Sequence, residues 1–197
     1  MPSFYEWSTH HDQVSPAYLR NPVLAGRGGV FDAADFVLRG GDPALEAKAR
    51  TALQKLNDTT PKSKELQTRA KAVLVFPDIV KAGLIVGAQG GNGVMFDADG
   101  KVLGYYNATA LSYGLQAGVQ SFSEAMYFMT DSATSYLAGS DGWSVGMGPS
   151  IVVVDEGMGK SMTTTTLKSD VYAFIFGQQG LMAGMGLQGQ KITKLNR

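Results

Sequence analysis

The sequence predicts an α+β fold, with N-terminal helices packed on a curved, mainly antiparallel, barrel- or sandwich-like β-sheet. Three observations predict it. Two segments with helix start signals occupy residues 42–70. From residue 71 the pattern changes to many short apolar runs separated by glycine and turn residues. Glycine is in excess, 25 in 197 residues, which suits turns, bulges and close strand contacts. Helices followed by a run of strands indicate an α+β architecture. Numerous glycine-broken strands favour a sheet that curls.

Residues 1–41 are weakly patterned, broken by Pro2, Pro16 and Pro22, and read as an irregular N-terminal segment. FDAADFVL (31–38) could add one or two helical turns there. Residues 42–197 read as the folded domain. Its first helix spans about 43–57. Asp42 can cap it by accepting a free backbone N–H, and Pro43 suits the first helical position. Leu45, Ala49, Ala52, Leu53 and Leu56 form its apolar stripe. A second helix is expected from Pro61 to about Ala70, capped by Thr60.

The strands follow. KAVLVF (71–76) is expected to stop at Pro77, and AGLIVGA (82–88) to form another strand. GGNG (90–93) reads as a turn. VMFDADGKVLGYYNA (94–108) reads as a hairpin turning at Asp99-Gly100, a two-residue turn signal. LSYGLQAGVQ (111–120) reads as a strand, EAMYFMT (124–130) as a strand with a helix as the alternative, and DSATSYLAGS (131–140) as a short helix capped by Asp131 or Ser132. WSVGMGPSIVVVDE (143–156) supplies one or two strands, and residues 169–195 two or three more.

Composition narrows the function. Lysine plus arginine equals aspartate plus glutamate, 17 each, so bulk charge gives no support for nucleic-acid binding. The charge is nevertheless unevenly placed. Residues 1–47 carry three arginines against six acids, whereas 48–81 carry eight Lys/Arg against three acids. Cysteine is absent, which excludes disulfides and thiolate metal sites within these residues. No apolar run approaches the roughly 20 residues of a membrane-spanning helix. The opening MPSFYEWSTHHD lacks the pattern of a secretory signal, so either a cytosolic location or a targeting segment upstream of Met1 is expected.

The stretch from Arg69 to Asn196 resembles the SYLF domain family. The resemblance rests on RAKAVLVFPDIVKAGLIVGAQGGNGVMF (69–96), LSYGLQAGVQSFSEAMYFMTDSA (111–133), WSVGMGPSIVV (143–153) and SDVYAFIFGQQGLMAGMGLQGQKITKLN (169–196). These pieces stand in family order and cover about two thirds of the chain. The resemblance implies a non-catalytic phospholipid-binding module without a cofactor. Eukaryotic relatives bind phosphoinositides, some also actin. Bacterial relatives are often exported to the cell envelope, many as lipoproteins, which implies a lipid-bearing cysteine upstream of Met1. Two positions depart from the pattern. Ser123, followed by Glu124, stands where many relatives have Asp, and Tyr105 and Tyr106 stand where many have Trp.

The leading candidate site is the basic set Lys62, Lys64, Arg69, Lys71 and Lys81, with Lys48, Arg50 and Lys55 upstream. Each such side chain contributes roughly 1 kcal/mol near an anionic bilayer surface. Met158 and Met162 are candidates for exposed apolar contact, whereas Met182, Met185, Phe174 and Phe176 read mainly as core. Gln116 and Gln120 would share one strand face, either as paired buried amides or as a headgroup pocket.

Other motifs read as structure. GMGLQG (184–189) has no acid about 20 residues further on, as a dinucleotide site requires. In DADG the fifth and twelfth calcium-loop positions are Lys101 and Ala108. His10 and His11 are adjacent and cannot converge on one face, Asp155-Glu156 reads as loop charge, and there is no G-x-S-x-G elbow. No catalytic or metal-ligating residue is assigned. Anionic phospholipids are the expected partner. The alternatives are a protein-interaction or envelope-assembly module, and a carrier holding a lipid in an internal cavity.

Overall fold

A computed structural model describes residues 41–113, 118–139, 141–154, 168–180 and 189–196. The N-terminal segment, Gln116, Asp155-Glu156, Met158, Met162, Met182, Met185 and nearly all of GMGLQG lie outside the described residues.

Helix α1 runs Pro43–Thr59 and helix α2 runs Pro61–Arg69. Asp42 caps α1 as expected, its Oδ1 accepting from the Leu45 N–H at 3.0 Å. Thr60 makes no side-chain cap on α2; its carbonyl instead accepts from the Ser63 N–H at 3.0 Å. Ala49, Leu53, Leu56 and Leu66 are the buried helix positions that anchor both helices on the sheet.

Eight strands form one sheet: β1 Ala72–Gly83, β2 Val86–Asp97, β3 Val102–Tyr113, β4 Gly118–Phe128, β5 Trp143–Ser144, β6 Ile151–Val154, β7 Val171–Gly180 and β8 Lys191–Leu195. Helix α3, Asp131–Gly139, follows β4. Its first turn is capped by the Thr130 hydroxyl, which accepts from the Ala133 N–H, and not by Asp131 or Ser132. The spatial order is β5-β8-β3-β2-β1-β4-β7-β6. Every pairing is antiparallel except β6 with β7.

The sheet curls into a half-barrel. Two contacts show how far. Gln190, beside β8, donates to Glu124 of β4 at 3.1 Å. Trp143 of β5 meets Phe128 of β4 edge-on, with ring centroids 6.0 Å apart. Four strand spacings separate β8 from β4, about 19 Å along a flat sheet. The sheet therefore bends back until its β5–β8 arm faces β4. The concave face holds one core, including Leu74, Phe76, Ile79, Met126, Phe128, Trp143 and Ile192. The convex face holds a second, in which Val73, Val75, Val94, Phe96, Tyr127 and Phe174 meet α1 and α2.

Four strand expectations need correction. LSYGLQAGVQ (111–120) is not one strand: residues 111–113 end β3 and residues 118–120 begin β4. Pro77 does not end its strand. β1 continues to Gly83 through an irregularity, with register shifts between Val75 and Val80 against β2 and between Phe76 and Ile79 against β4. A proline has no N–H for the ladder, and the bulge removes the need for one. AGLIVGA is not a single strand, because β1 turns into β2 at Leu84-Ile85. GGNG is not a turn but the middle of β2. A Cβ at Gly93 would lie 2.5 Å from the Phe76 ring and 2.7 Å from the Val75 carbonyl. Glycine there lets Phe76 lie across the concave floor. The Asp99-Gly100 hairpin is as expected, with Gly100 at φ 79. Its loop is longer than two residues, and Asp97 Oδ1 accepts from the N–H groups of Asp99 and Lys101.

Gly93→Ala should cost about 1–3 kcal/mol, the usual range for overpacking a core. Urea unfolding followed by circular dichroism would measure it. Gly90→Ala serves as control, because its Cβ would meet nothing closer than 3.7 Å.

Candidate membrane-contact surface

The basic residues do not form one patch. Lys62 is buried and pairs with Glu65 at 2.8 Å. Lys64 and Arg69 are exposed on α2. At 100° per residue, Lys64 projects roughly 160° around the helix from Lys62. Lys71 pairs with Asp131 at 3.7 Å. Lys81 lies apart from all four. It is about 30 Å further along β1 than Lys71 by strand rise, and it is buried beside Gln89 and Gln120. Its side of the strand is that of Ile79, the concave face. Convergence is thus limited to α2 and the residues flanking it.

The upstream residues lie better. Helix α1 packs on the convex face, against β1 and β2. The Tyr105 hydroxyl of β3 accepts from the Asp42 N–H at 3.0 Å and donates to Glu46. Burial is the largest cause raising the Tyr105 phenol above its ordinary value, with the Glu46 hydrogen bond next. Arg50 donates to the Gly100 carbonyl at 2.8 Å and stacks 4.5 Å over Phe96. Lys48 reaches Asp78 at 3.2 Å, both ends exposed, so the pair is weak. Lys48, Thr51 and Lys55 share the side of α1 that overhangs a cleft of about 530 Å³. Pro77, Asp78, Ser121, Ser123 and Gln179 line its opposite wall. That wall lies where β1 and β4 lose register, and the Ser123 hydroxyl donates to the Pro77 carbonyl at 2.6 Å.

Beyond this cleft the described convex face is apolar and exposed. Val119, Ala82, Ala88 and Leu111 are cross-strand neighbours in one row over β4, β1, β2 and β3. All four are exposed. Val80 and Val86 extend the row, and Leu84 and Ile85 form the hairpin tip, 73% and 69% exposed. No Asp, Glu, Lys or Arg occurs from Ala82 to Phe96 or from Val102 to Ser123. Large exposed apolar groups in one contiguous, uncharged patch mark a contact surface, unlike apolar residues scattered singly. The sequence carried a signal for it. It is the apolar run AGLIVGA (82–88), whose successive apolar residues fall on both faces of a strand.

The concave face carries polar groups as well. Glu124 and Gln190 are fully buried, and Gln120 is buried opposite Lys81 and Gly180. Burial pushes the Glu124 carboxyl up to about 7, opposed by the hydrogen bond from Gln190. Burial likewise raises the Tyr106 phenol. At the rim, Asp170 is held below the ordinary carboxylate range, chiefly by hydrogen bonds from the Ser150 hydroxyl and backbone. Among the described residues no cluster of His, Asp or Glu could hold a metal ion, and no helix is long and apolar enough to cross a membrane. No family model matches the chain, and no curated protein is similar to it.

Proposed function

We propose that this protein is a non-catalytic module that binds peripherally to anionic phospholipid membranes, with the apolar convex end of its sheet as the contacting surface. The observation that carries the reading is the exposed row Val119, Ala82, Ala88 and Leu111 with the tip Leu84-Ile85. A face three strand spacings wide, about 15 Å, can lie in the headgroup and upper acyl region without burying a charge. Lys48 and Lys55 stand at its border, where phosphates would lie. They take the electrostatic role in this proposal in preference to Lys62, Lys64, Arg69, Lys71 and Lys81. Location at the cell envelope, with an anchor upstream of Met1, belongs to the same proposal. One shallow patch gives modest, reversible affinity, and stable attachment takes a second signal.

A lipid carrier would need an open interior. On the described concave face that space is filled by Phe76, Phe122, Met126, Phe128 and Trp143.

Vesicle co-sedimentation tests the proposal. Binding should be stronger to phosphatidylglycerol than to phosphatidylcholine vesicles and should weaken as salt rises. Lys48→Glu with Lys55→Glu replaces two attractions by two repulsions. At roughly 1 kcal/mol per charge step near the surface, binding to anionic vesicles should fall at least tenfold. Equal pelleting with both vesicle types would remove the electrostatic part. No pelleting with either, alongside salt-resistant capture of one protein, would favour a protein-interaction module.

A further inference from the structure

We infer that Glu124 is carried in the folded protein as a carboxylic acid, and that with the Gln190 carboxamide it forms a proton-dependent clasp across the half-barrel. The inference is independent of the membrane proposal. It rests first on hydrogen-bond accounting. Glu124 Oε2 accepts from Gln190 Nε2 at 3.1 Å. The second oxygen of Glu124 and the amide oxygen of Gln190 are both buried and, among the described residues, without a partner. Two unmatched acceptors beside an existing N–H···O bond lack one donor between them. A proton on Glu124 Oε1 supplies it. The acid O–H then donates to Gln190 Oε1 while the amide N–H donates to Glu124 Oε2, a cyclic acid–amide pair with no polar atom left over. The ionised form leaves a fully buried charge with a single hydrogen bond, which is strongly unfavourable.

The surroundings agree. Glu124 faces Phe76 of β1 and Ile175 of β7, with Phe122 and Met126 beside it on its own strand. β7 and β5 carry no charged residue. Lys81 of β1 lies on the same face, beside Gln120. Lys194 of β8 is exposed opposite Tyr106 of β3, whose phenol is raised by burial and stays neutral. Burial is the largest influence on the carboxyl, the Gln190 bond is the only opposing one, and the group is pushed up to about 7.

The clasp joins strands that are distant within the sheet, so its state governs how firmly the β5–β8 arm is held against β4. The folded-state value stands above the ordinary 4.5. The folded form therefore binds the extra proton, and its contribution to stability is complete below about 4.5 and lost as pH rises through about 7. From well below 4.5 to well above 7 the folding equilibrium constant should fall by roughly 300-fold in all, relative to a variant without the titration. Glu124→Gln is that variant, because its amide N–H can stand in for the acid proton at every pH. Denaturant unfolding of both proteins from pH 5 to 8.5 should show near-equal stability at pH 5. A growing advantage of Glu124→Gln is expected above it. Parallel curves would overturn the inference.

Carbon NMR of the side-chain carboxyls tests it in the wild type. The Glu124 midpoint should lie well above those of the other glutamates. A midpoint in the ordinary range would overturn the inference. In a Trp7→Phe background, Trp143 emission should shift with the Glu124 midpoint as the arm loosens. An emission unchanged across that midpoint would show that the proton does not control the arm.

Discussion

Replacing Leu84 and Ile85 together by aspartate is expected to reduce vesicle binding at least 30-fold while leaving the unfolding midpoint within a degree or two. Both side chains sit on the hairpin tip and are largely exposed, so the folded protein has little packing to lose. Burying a large aliphatic side chain contributes about 1.5–3 kcal/mol, and partial insertion of two gives about 2 kcal/mol, or 30-fold. The carboxylates add repulsion from an anionic surface. The loss should appear with phosphatidylcholine as well as phosphatidylglycerol vesicles, unlike the loss caused by the lysine changes. Co-sedimentation and thermal unfolding check both halves. Retained binding would mean that this end of the sheet does not touch lipid.

The largest effect on stability is expected from Trp143→Ala, about 3–5 kcal/mol. That is a large share of the roughly 5–15 kcal/mol that holds a domain of this kind together. Trp143 is fully buried although its strand is two residues long. Its ring meets Phe128, and its indole N–H donates to the Met147 carbonyl at 2.8 Å. The backbone pairs of Trp143 with Ile192 and of Ser144 with Lys191 would remain. What would go is the contact that fills the concave space between the β5–β8 arm and β4. Urea unfolding measures the loss. Hydrogen exchange should show it concentrated in Ile192 and its neighbours, with β1 and β2 affected less.

Much of the fold was legible because its signals are local. Asp42 before Pro43 starts a helix by backbone chemistry alone, and Asp99-Gly100 turns a hairpin for the same reason. The structure departs from the local pattern at residues whose reasons are tertiary. Pro77 read as a stop because proline cannot serve a regular ladder, but neighbours on both sides shift register around it. Gly91 and Gly93 read as a turn, yet they are small because Ile79 and Phe76 occupy the space their side chains would need. The candidate site was legible only in part. Lysines could be counted along the chain, but their faces depend on where α1 and β1 cross. Glu124 is marked in the sequence only as the residue after Ser123, the position that departs from the resemblance; its partner lies 66 residues away, beyond any local pattern.

The blunt margins of the sheet have one further consequence. Among the described residues one border strand is two residues long, and the other, Ile151–Val154, runs parallel to its neighbour. Long runs of unpaired backbone N–H and C=O groups are what recruit foreign strands into fibres. Here the two border strands themselves offer an incoming chain only a short template. A molecule that must keep greasy side chains in the open thereby denies them the hydrogen-bonded scaffold on which aggregates grow.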